Sequence, residues 1–520
     1  MLPLDYITAH ARTDPDRVAV INNGKAISYA AFRADIASVT AQVGARPNGP
    51  NRLLGILMDT DYAEFVALLA AHGAGWATIV MPRDIPERLA QTQARLQCLL
   101  TTADGAIAYA SFVGGHCSVL PVALTPGASA PCGESQLMAC PLAPDDLMHV
   151  RMTSGTTGGY KKIPVTRTQF ERWADATAEL YARRGPTRYL SLTPPHLGLG
   201  LIKAVTVWRL GGTVIFDDRD DGFAAIDANR PDEFVATPYF LYRWLKHLDQ
   251  SRKVPEQHLY LRVDGAKMSR KLHDDLRARV KCSLECGYGS AELGVVAFAG
   301  PADASERWLD RFRAAPWARI EVVDRYDQPV PEGTSGLVRC KTRFMPEGYL
   351  DDVGLSAQLF RNGWYYSGDR GRLVKGGLLE LEGRDGDLLN LSGYKVYCPA
   401  VEQDLLSLPG IIDAAAFATL NAGGVEELGI ALVISDSDRA EAVASAKARA
   451  VESIRIGLER VNFMVIQKIP RNDMGKVMRR LLSTAYRERH RTLKPARDTR
   501  GQQDSMALPA SEPRAATDPS

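Results

Sequence analysis

Strand-like apolar runs alternate with helix-like segments through the first half of this chain, and that alternation constrains the fold more than any other feature. "RVAVI", "RLLGILM", "ATIVMP" and "CLLTT" are strand candidates, and "YAEFVALLAAHG" is a helix candidate between two of them. The pattern resumes with "RYLSLTPP", "TVIFDD" and "HLYLRVDG". Such alternation argues for an α/β sheet with crossover helices. From Ile320 to Arg339 the texture changes. "RIEVVDRYDQPVPEGTSGLVRC" reads as two strands around a Pro/Gly turn, and "WYYSGDRGRLVKGGLLELEGR" as another pair, typical of antiparallel β.

A chain of 520 residues exceeds what one core organises, so two or more domains are expected. A small α+β unit runs from about Leu388 to Leu482, with a helix over "RAEAVASAKARAVESIR". The expected division is residues 1–382, a hinge at 383–387, a small domain at 388–490 and a disordered Pro/Ala/Ser-rich tail at 491–520. The net charge of +2 gives no reason to expect nucleic acid or an anionic membrane as partner. The longest apolar stretch, Phe65 to Met81, contains His72 and a Gly73-Ala74-Gly75 break. It reads as a buried helix, a turn and a short strand rather than a membrane span. The start lacks a basic segment followed by an apolar one, so the expected location is cytoplasmic. The cysteines are scattered singly; Cys282 and Cys286 form a lone CxxxC with no second ligand pair at zinc spacing.

"MTSGTTGGYKK", beginning at Met152, carries the first chemistry. Its glycines let backbone amides close on an anion, and its hydroxyls and lysines add donors and charge. That combination suits phosphate. A nucleotide-triphosphatase loop is excluded, because Lys161 follows Tyr160 and precedes Lys162 instead of sitting between Gly and Ser/Thr. A dinucleotide fingerprint fails as well, since no strand-to-helix turn carries its three glycines.

Four later stretches join this one: "LECGYGSAELG", "GWYYSGDRGRL", "EGRDGDLLNLSGYKVYCPAVE" and "IPRNDMGKVMRRLL". In this order and spacing the five resemble the adenylate-forming superfamily of acyl-CoA synthetases, peptide-synthetase adenylation domains and luciferases. The resemblance runs from "DPDRVAVINNGKAISYAAF" through Leu482. It implies a large multi-sheet α/β N-terminal AMP-binding domain and a small mobile C-terminal α+β domain. Five positions depart from the family's usual pattern. Tyr160 stands where proline is usual, Lys162 where glycine is, Ala291 where threonine is, Gly386 where the hinge aspartate is, and Asn390 where lysine is common.

The implied reaction joins a carboxylic acid to AMP with loss of pyrophosphate, then passes the acyl group to the CoA thiol. A ligase that loads a carrier protein in trans is an alternative, as is a non-catalytic nucleotide-binding relative. ATP, Mg²⁺ and CoA are the implied cofactors. Such an acid is already ionised at neutral pH, so the barrier is repulsion between carboxylate and polyphosphate. By resemblance, Thr153, Ser154, Gly155, Thr156, Thr157, Gly158 and Lys161 would hold phosphates, and Glu292 would bind Mg²⁺. Gly265, Ala266, Gly287, Tyr288 and Gly289 would wall the adenine. Asp369 would accept from the ribose hydroxyls, and Arg384 would reach ribose or phosphate. Lys476 would lie between substrate carboxylate and α-phosphate, as the catalytic cation. Gly386 falls at the hinge, and Gly393 and Lys395 would border the thiol channel after the small domain turns.

"TPPHLGLGL" matches the start of the acyl pocket, with His196 at its mouth and Gly198 leaving room for an aliphatic or aryl group. Amino-acid-activating relatives usually place an aspartate here. None lies between Leu192 and Trp208, so an α-ammonium would be left unpaired, and α-amino acids are disfavoured.

Overall fold

The computed structural model describes residues 1–44, 53–83, 96–109, 117–128, 142–154, 160–219, 222–251, 253–265, 267–268, 270–300, 309, 311–384, 388–391, 394–420, 426–435, 439–454, 461–471 and 477–492. Two large sheets dominate. One has a parallel centre in the order Cys282–Ser290, Leu259–Val263, Glu233–Ala236, Arg188–Leu190, Thr213–Phe216, Val18–Asn22. Beyond Cys282–Ser290 it continues antiparallel through Gly294–Ala299, Arg311–Ala314, Leu378–Arg384, Trp364–Val374, Gly336–Thr342 and Ala318–Val323. The α/β and antiparallel textures of the sequence therefore share one sheet.

A six-stranded sheet holds Ser118–Pro121, Leu96–Thr101, Leu53–Leu57, Ala77–Val80, Leu147–Ser154 and Tyr160–Thr166, and only the last pair is antiparallel. Val18–Asn22 pairs antiparallel with Lys25–Ser28, which follows it, and parallel with Thr213–Phe216 in the large sheet, so it takes no place in the six-stranded one. The helices Asp61–Gly73 and Gly198–Arg209 are apolar over most of their circumference and bury almost every residue. Trp208, near the end of the second, is fully buried against Phe32 and Phe65, and its Nε1 donates to the Ala19 carbonyl at 3.0 Å. Truncating such an aromatic typically costs about 3–5 kcal/mol.

The small unit is a three-stranded sheet of Ile411–Leu420, Glu426–Ile434 and Val461–Val465 with the helices Cys398–Leu406, Arg439–Ile454 and Arg479–Thr492. A hairpin, Leu388–Leu391 with Tyr394–Tyr397, precedes it. The tail expected to be disordered lies outside the described residues from 493 onward. No described helix is long and apolar enough to cross a membrane.

One polar chain runs through the core of the six-stranded sheet. His72 Nε2 and His149 Nδ1 each lie 2.9 Å from Thr78 Oγ1, and both imidazoles are buried. Burial holds the His72 pKa down at about 4, and that of His149 well below its ordinary value. The unfolded chain therefore binds more protons than the native one below about pH 6.5. The pair's contribution to stability is complete above that pH and is lost as pH falls towards 4. His72→Gln should flatten the fall in denaturation midpoint between pH 7 and 5 relative to wild type. Parallel pH profiles for the two proteins would show that these histidines do not govern the acid limb.

Candidate active site

The carboxyl ends of the parallel strands open into a cleft of about 1610 Å³ whose walls come from both sheets and from the small unit. Crevices outside the carboxyl ends of such strands are the usual ligand sites of open α/β sheets. The hairpin Leu147–Ser154/Tyr160–Thr166 brings Thr153 opposite Lys161, and both line the cleft. Side chains alternate along a strand, so neighbouring Lys162 takes the other face and pairs with Asp351 at 2.8 Å. Residues Gly155, Thr156, Thr157 and Gly158 lie outside the described residues, as does the side chain of Ser154. A capping box then starts the next helix: Thr166 and Gln169 each bond the other's backbone N–H, at 3.2 and 2.9 Å. This helix, Arg167–Tyr181, carries Trp173 and Thr177 to the cleft wall.

Lys161 Nζ stands 5.2 Å from the centre of the Tyr349 ring. The Tyr349 hydroxyl donates to Glu292 Oε1 at 2.7 Å, and Glu292 is 5% exposed. Tyr349 thus links the candidate phosphate cation to the candidate metal carboxylate. Burial, then the negative charge of Glu292, raises the tyrosine's pKa, so it remains a donor. Among the described residues, no group of three or more His, Cys, Asp or Glu could hold a metal ion. A single buried carboxylate nonetheless fits Mg²⁺, which keeps several waters and shares its remaining positions with phosphate oxygens.

Gly287, Tyr288 and Gly289 end the strand Cys282–Ser290 and line the cleft with Gly265. A Cβ on Gly287 would lie 1.9 Å from Asp264 Oδ1, and one on Gly289 2.2 Å from the Gly294 carbonyl oxygen, so this floor requires glycine. The Tyr288 hydroxyl donates to Asp369 Oδ2 at 2.8 Å and lies 3.3 Å from Ser367 Oγ. Asp369 is in register with Arg384 on the adjacent strand. The Arg384 side chain and Ala266 are outside the described residues.

His196 is buried, and the cleft wall takes Leu197 and the first helical residues after it, Gly198 and Leu199, instead. The two glycines here differ. At Gly198 a Cβ would crowd Arg151 Cδ at 2.9 Å and Trp173 Cη2 at 3.1 Å, both side chains of the cleft wall. At Gly200 it would meet the Thr193 carbonyl oxygen at 2.3 Å, which is backbone packing.

The wall also holds charged groups that the sequence reasoning passed over. Lys203 pairs with Glu233 at 2.9 Å and lies 3.7 Å from the Tyr181 ring centre. Arg262 pairs with Asp264 at 2.9 Å and donates to Tyr181 Oη at 2.7 Å. Burial lowers the Lys203 pKa against the pull of Glu233, and raises that of Asp264 against the pull of Arg262. The available signal was a lone charge in an apolar run, as in "HVRMTS", "LIKAVTVW" and "LYLRVDG".

The small unit closes the cleft from above. Tyr242 Oη donates to the Ile411 carbonyl at 3.2 Å, and Gln403 Nε2 to the Lys267 carbonyl at 3.0 Å. Arg471 stacks on Tyr239 at 4.4 Å while binding Asp413 Oδ1 at 2.7 Å. Lys476 lies outside the described residues, in 472–476. The flanking residues are described: Arg471 and Val477 form an antiparallel bridge, Met478 N–H donates to the Pro470 carbonyl at 2.9 Å, and Arg471, Val477 and Met478 line the cleft. Gly386 and Gly393 are likewise outside. Lys395 stands opposite Asn390 in the hairpin, its side chain undescribed.

Comparison with known proteins bears on the family and the fold. The sequence model of a family described as AMP-binding enzyme matches residues 7–350. Salicylyl-CoA synthase / salicylate adenylyltransferase of a Streptomyces species is 26% identical over 359 residues. That match takes in 66% of this chain and 64% of that protein, a little under two thirds of its length. Enterobactin synthase component E of Escherichia coli (strain K12) is 26% identical over 448 residues, 80% of this chain and 82% of the other. The crystal structure of ATP-bound MatB from Rhodopseudomonas palustris superposes with a TM-score of 0.77 at 19% identity, covering 94% of this chain and all (100%) of that one. This last likeness is one of fold.

Proposed function

The chain belongs to the AMP-binding enzyme family, and from that premise we propose that it uses ATP to activate a carboxylic acid as an acyl-adenylate and then acylates a thiol. The observation that carries this reading is one cleft bordered by the Thr153–Lys161 hairpin, the Tyr349–Glu292 contact, the Tyr288–Asp369 bond and the residues on either side of 472–476. In the first step a carboxylate oxygen attacks the α-phosphorus and pyrophosphate leaves with its electron pair. No general base is needed, because the acid arrives ionised. The protein's task is to offset charge and hold the reacting atoms in line.

Lys161 and the hydroxyls of the hairpin take the outer phosphates. Glu292 would hold Mg²⁺, which neutralises polyphosphate charge when bound. Asp369 accepts from the ribose, its orientation fixed by the Tyr288 hydroxyl. Lys476 offsets the charge of carboxylate and α-phosphate as they approach. In the second step the thiol sulfur attacks the acyl carbon and AMP departs. CoA is the proposed acceptor. The Streptomyces relative is named both as a CoA synthase and as an adenylyltransferase, and a carrier-bound thiol stays the second reading.

Acid-dependent ATP–pyrophosphate exchange over a panel of acids tests the substrate side. Carboxylic acids without an α-amino group should support exchange, and proteinogenic amino acids should not. On the wall beside the Leu192–Trp208 stretch the structure adds Asp264, whose charge is met by Arg262 at 2.9 Å. Exchange confined to amino acids would overturn this reading of the pocket.

A further inference from the structure

Three buried cations line the cleft among the described residues: Arg151, Lys203 and Arg262. Two of them face a carboxylate, Glu233 for Lys203 and Asp264 for Arg262. Arg151 does not. It is 2% exposed, its Nη2 donates to the Glu292 backbone carbonyl at 3.2 Å, and its guanidinium lies 4.5 Å from the Trp173 ring centre. Among the described residues, its Nε and Nη1 have no hydrogen-bond partner. A guanidinium carries five donors, and a buried one whose hydrogen bonding ends at one carbonyl, with the Glu292 charge acting on it but not ion-paired to it, is costly. The same burial draws its pKa down to about 10, with Glu292 pulling the other way, and it stays charged at neutral pH.

The surroundings keep room for this group. The space where a Gly198 Cβ would stand is taken by Arg151 Cδ and the Trp173 ring. Gly294, at φ +67°, gives the indole the same clearance on its other side, where a Cβ would be 2.8 Å from Nε1. Arg151 therefore sits against the helices Arg167–Tyr181 and Gly198–Arg209, on the wall where the sequence places the acyl pocket. On the same strand, Thr153, opposite Lys161, stands two residues nearer the hairpin turn than Arg151, which is opposite Ile163.

We propose that Arg151 is the specificity-determining cation of the acyl pocket, and that the acid activated here carries a second anionic group, remote from the reacting carboxylate, which Arg151 binds. The proposal rests on the acid-activating reading of the cleft and names its substrate class. A second carboxylate matches the planar fork of the guanidinium and supplies the missing acceptors. An α-ammonium would instead meet an uncompensated cation, which adds to the discrimination against amino acids.

The test uses matched acids, succinate against butyrate and phthalate against benzoate, with wild type and Arg151→Met. Dissociation constants are measured by calorimetry with ATP absent, so that binding is read independently of turnover, and ATP–pyrophosphate exchange is measured alongside. In wild type at least one diacid should bind about ten- to a hundred-fold more tightly than its monoacid partner, the range expected of charge-assisted hydrogen bonds to a buried group. Arg151→Met should erase that gap and leave the KM for ATP unchanged. Arg151→Lys should restore part of it. Equal binding of diacids and monoacids by wild type overturns the proposal. So does an Arg151→Met variant that loses all acids alike, which would assign the arginine to the reacting carboxylate or to the fold. A raised KM for ATP with the gap intact would assign it to phosphate and also overturn the proposal. A diacid preference in binding without any exchange would leave this assignment standing and remove the catalytic reading instead.

Discussion

Lys476→Ala is expected to lose acyl-adenylate formation by about 10²- to 10³-fold while keeping thioester formation from supplied acyl-adenylate. In the first half-reaction two anions approach in a cleft screened from water, and removing a preorganised cation leaves their repulsion uncompensated. In the second, domain alternation would turn the small domain and take the same lysine away from the reacting atoms. The docking contacts in this structure suit such a rearrangement. Among the described residues they include hydrogen bonds from Tyr242 and Gln403 and a stack of Arg471 on Tyr239, polar contacts that can part without exposing apolar side chains of their own. The comparison is pyrophosphate exchange against single-turnover acylation from synthetic acyl-adenylate. Equal losses in both, or none in the first, would contradict domain alternation.

Glu292→Gln should reduce adenylation by about 10²-fold and leave the melting temperature nearly unchanged. The substitution keeps an oxygen to accept the Tyr349 hydroxyl and keeps the backbone carbonyl that accepts from Arg151, so the local packing survives. What it removes is the charge that would hold Mg²⁺ against the phosphates. Raising Mg²⁺ should recover part of the lost rate in the variant and none in wild type. A variant with full activity at ordinary Mg²⁺ would remove Glu292 from the proposed metal site.

Much of this architecture was legible in the sequence because local pattern and tertiary role coincide. The runs at Leu53–Leu57, Ala77–Val80 and Leu259–Val263 are apolar enough to be buried strands wherever they pair, and the structure makes them so. Partner choice was not legible. Nothing local to Val18–Asn22 announces that it will cross to Thr213–Phe216, because parallel pairing is set by the packing of helices such as Gly198–Arg209. The candidate site divides in the same way. Gly287 and Gly289 stand out in sequence; a Cβ on Gly289 would meet the Gly294 backbone, and one on Gly287 the Asp264 carboxylate. Tyr349 and Arg151 were missed because what each touches lies far away in the chain: the Glu292 carboxylate for Tyr349, and the Glu292 backbone carbonyl for Arg151. A lone arginine inside an apolar strand was the one warning.

The central claim is that a carboxylate oxygen becomes bonded to the α-phosphorus of ATP in this cleft. The most direct measurement supplies an acid labelled with ¹⁸O in its carboxylate, together with ATP, Mg²⁺ and an acceptor thiol, and follows the label by mass spectrometry. The account predicts one labelled oxygen in the released AMP, one in the thioester carbonyl and none in pyrophosphate. Label in inorganic phosphate with ADP as the co-product, or unlabelled AMP, would contradict it.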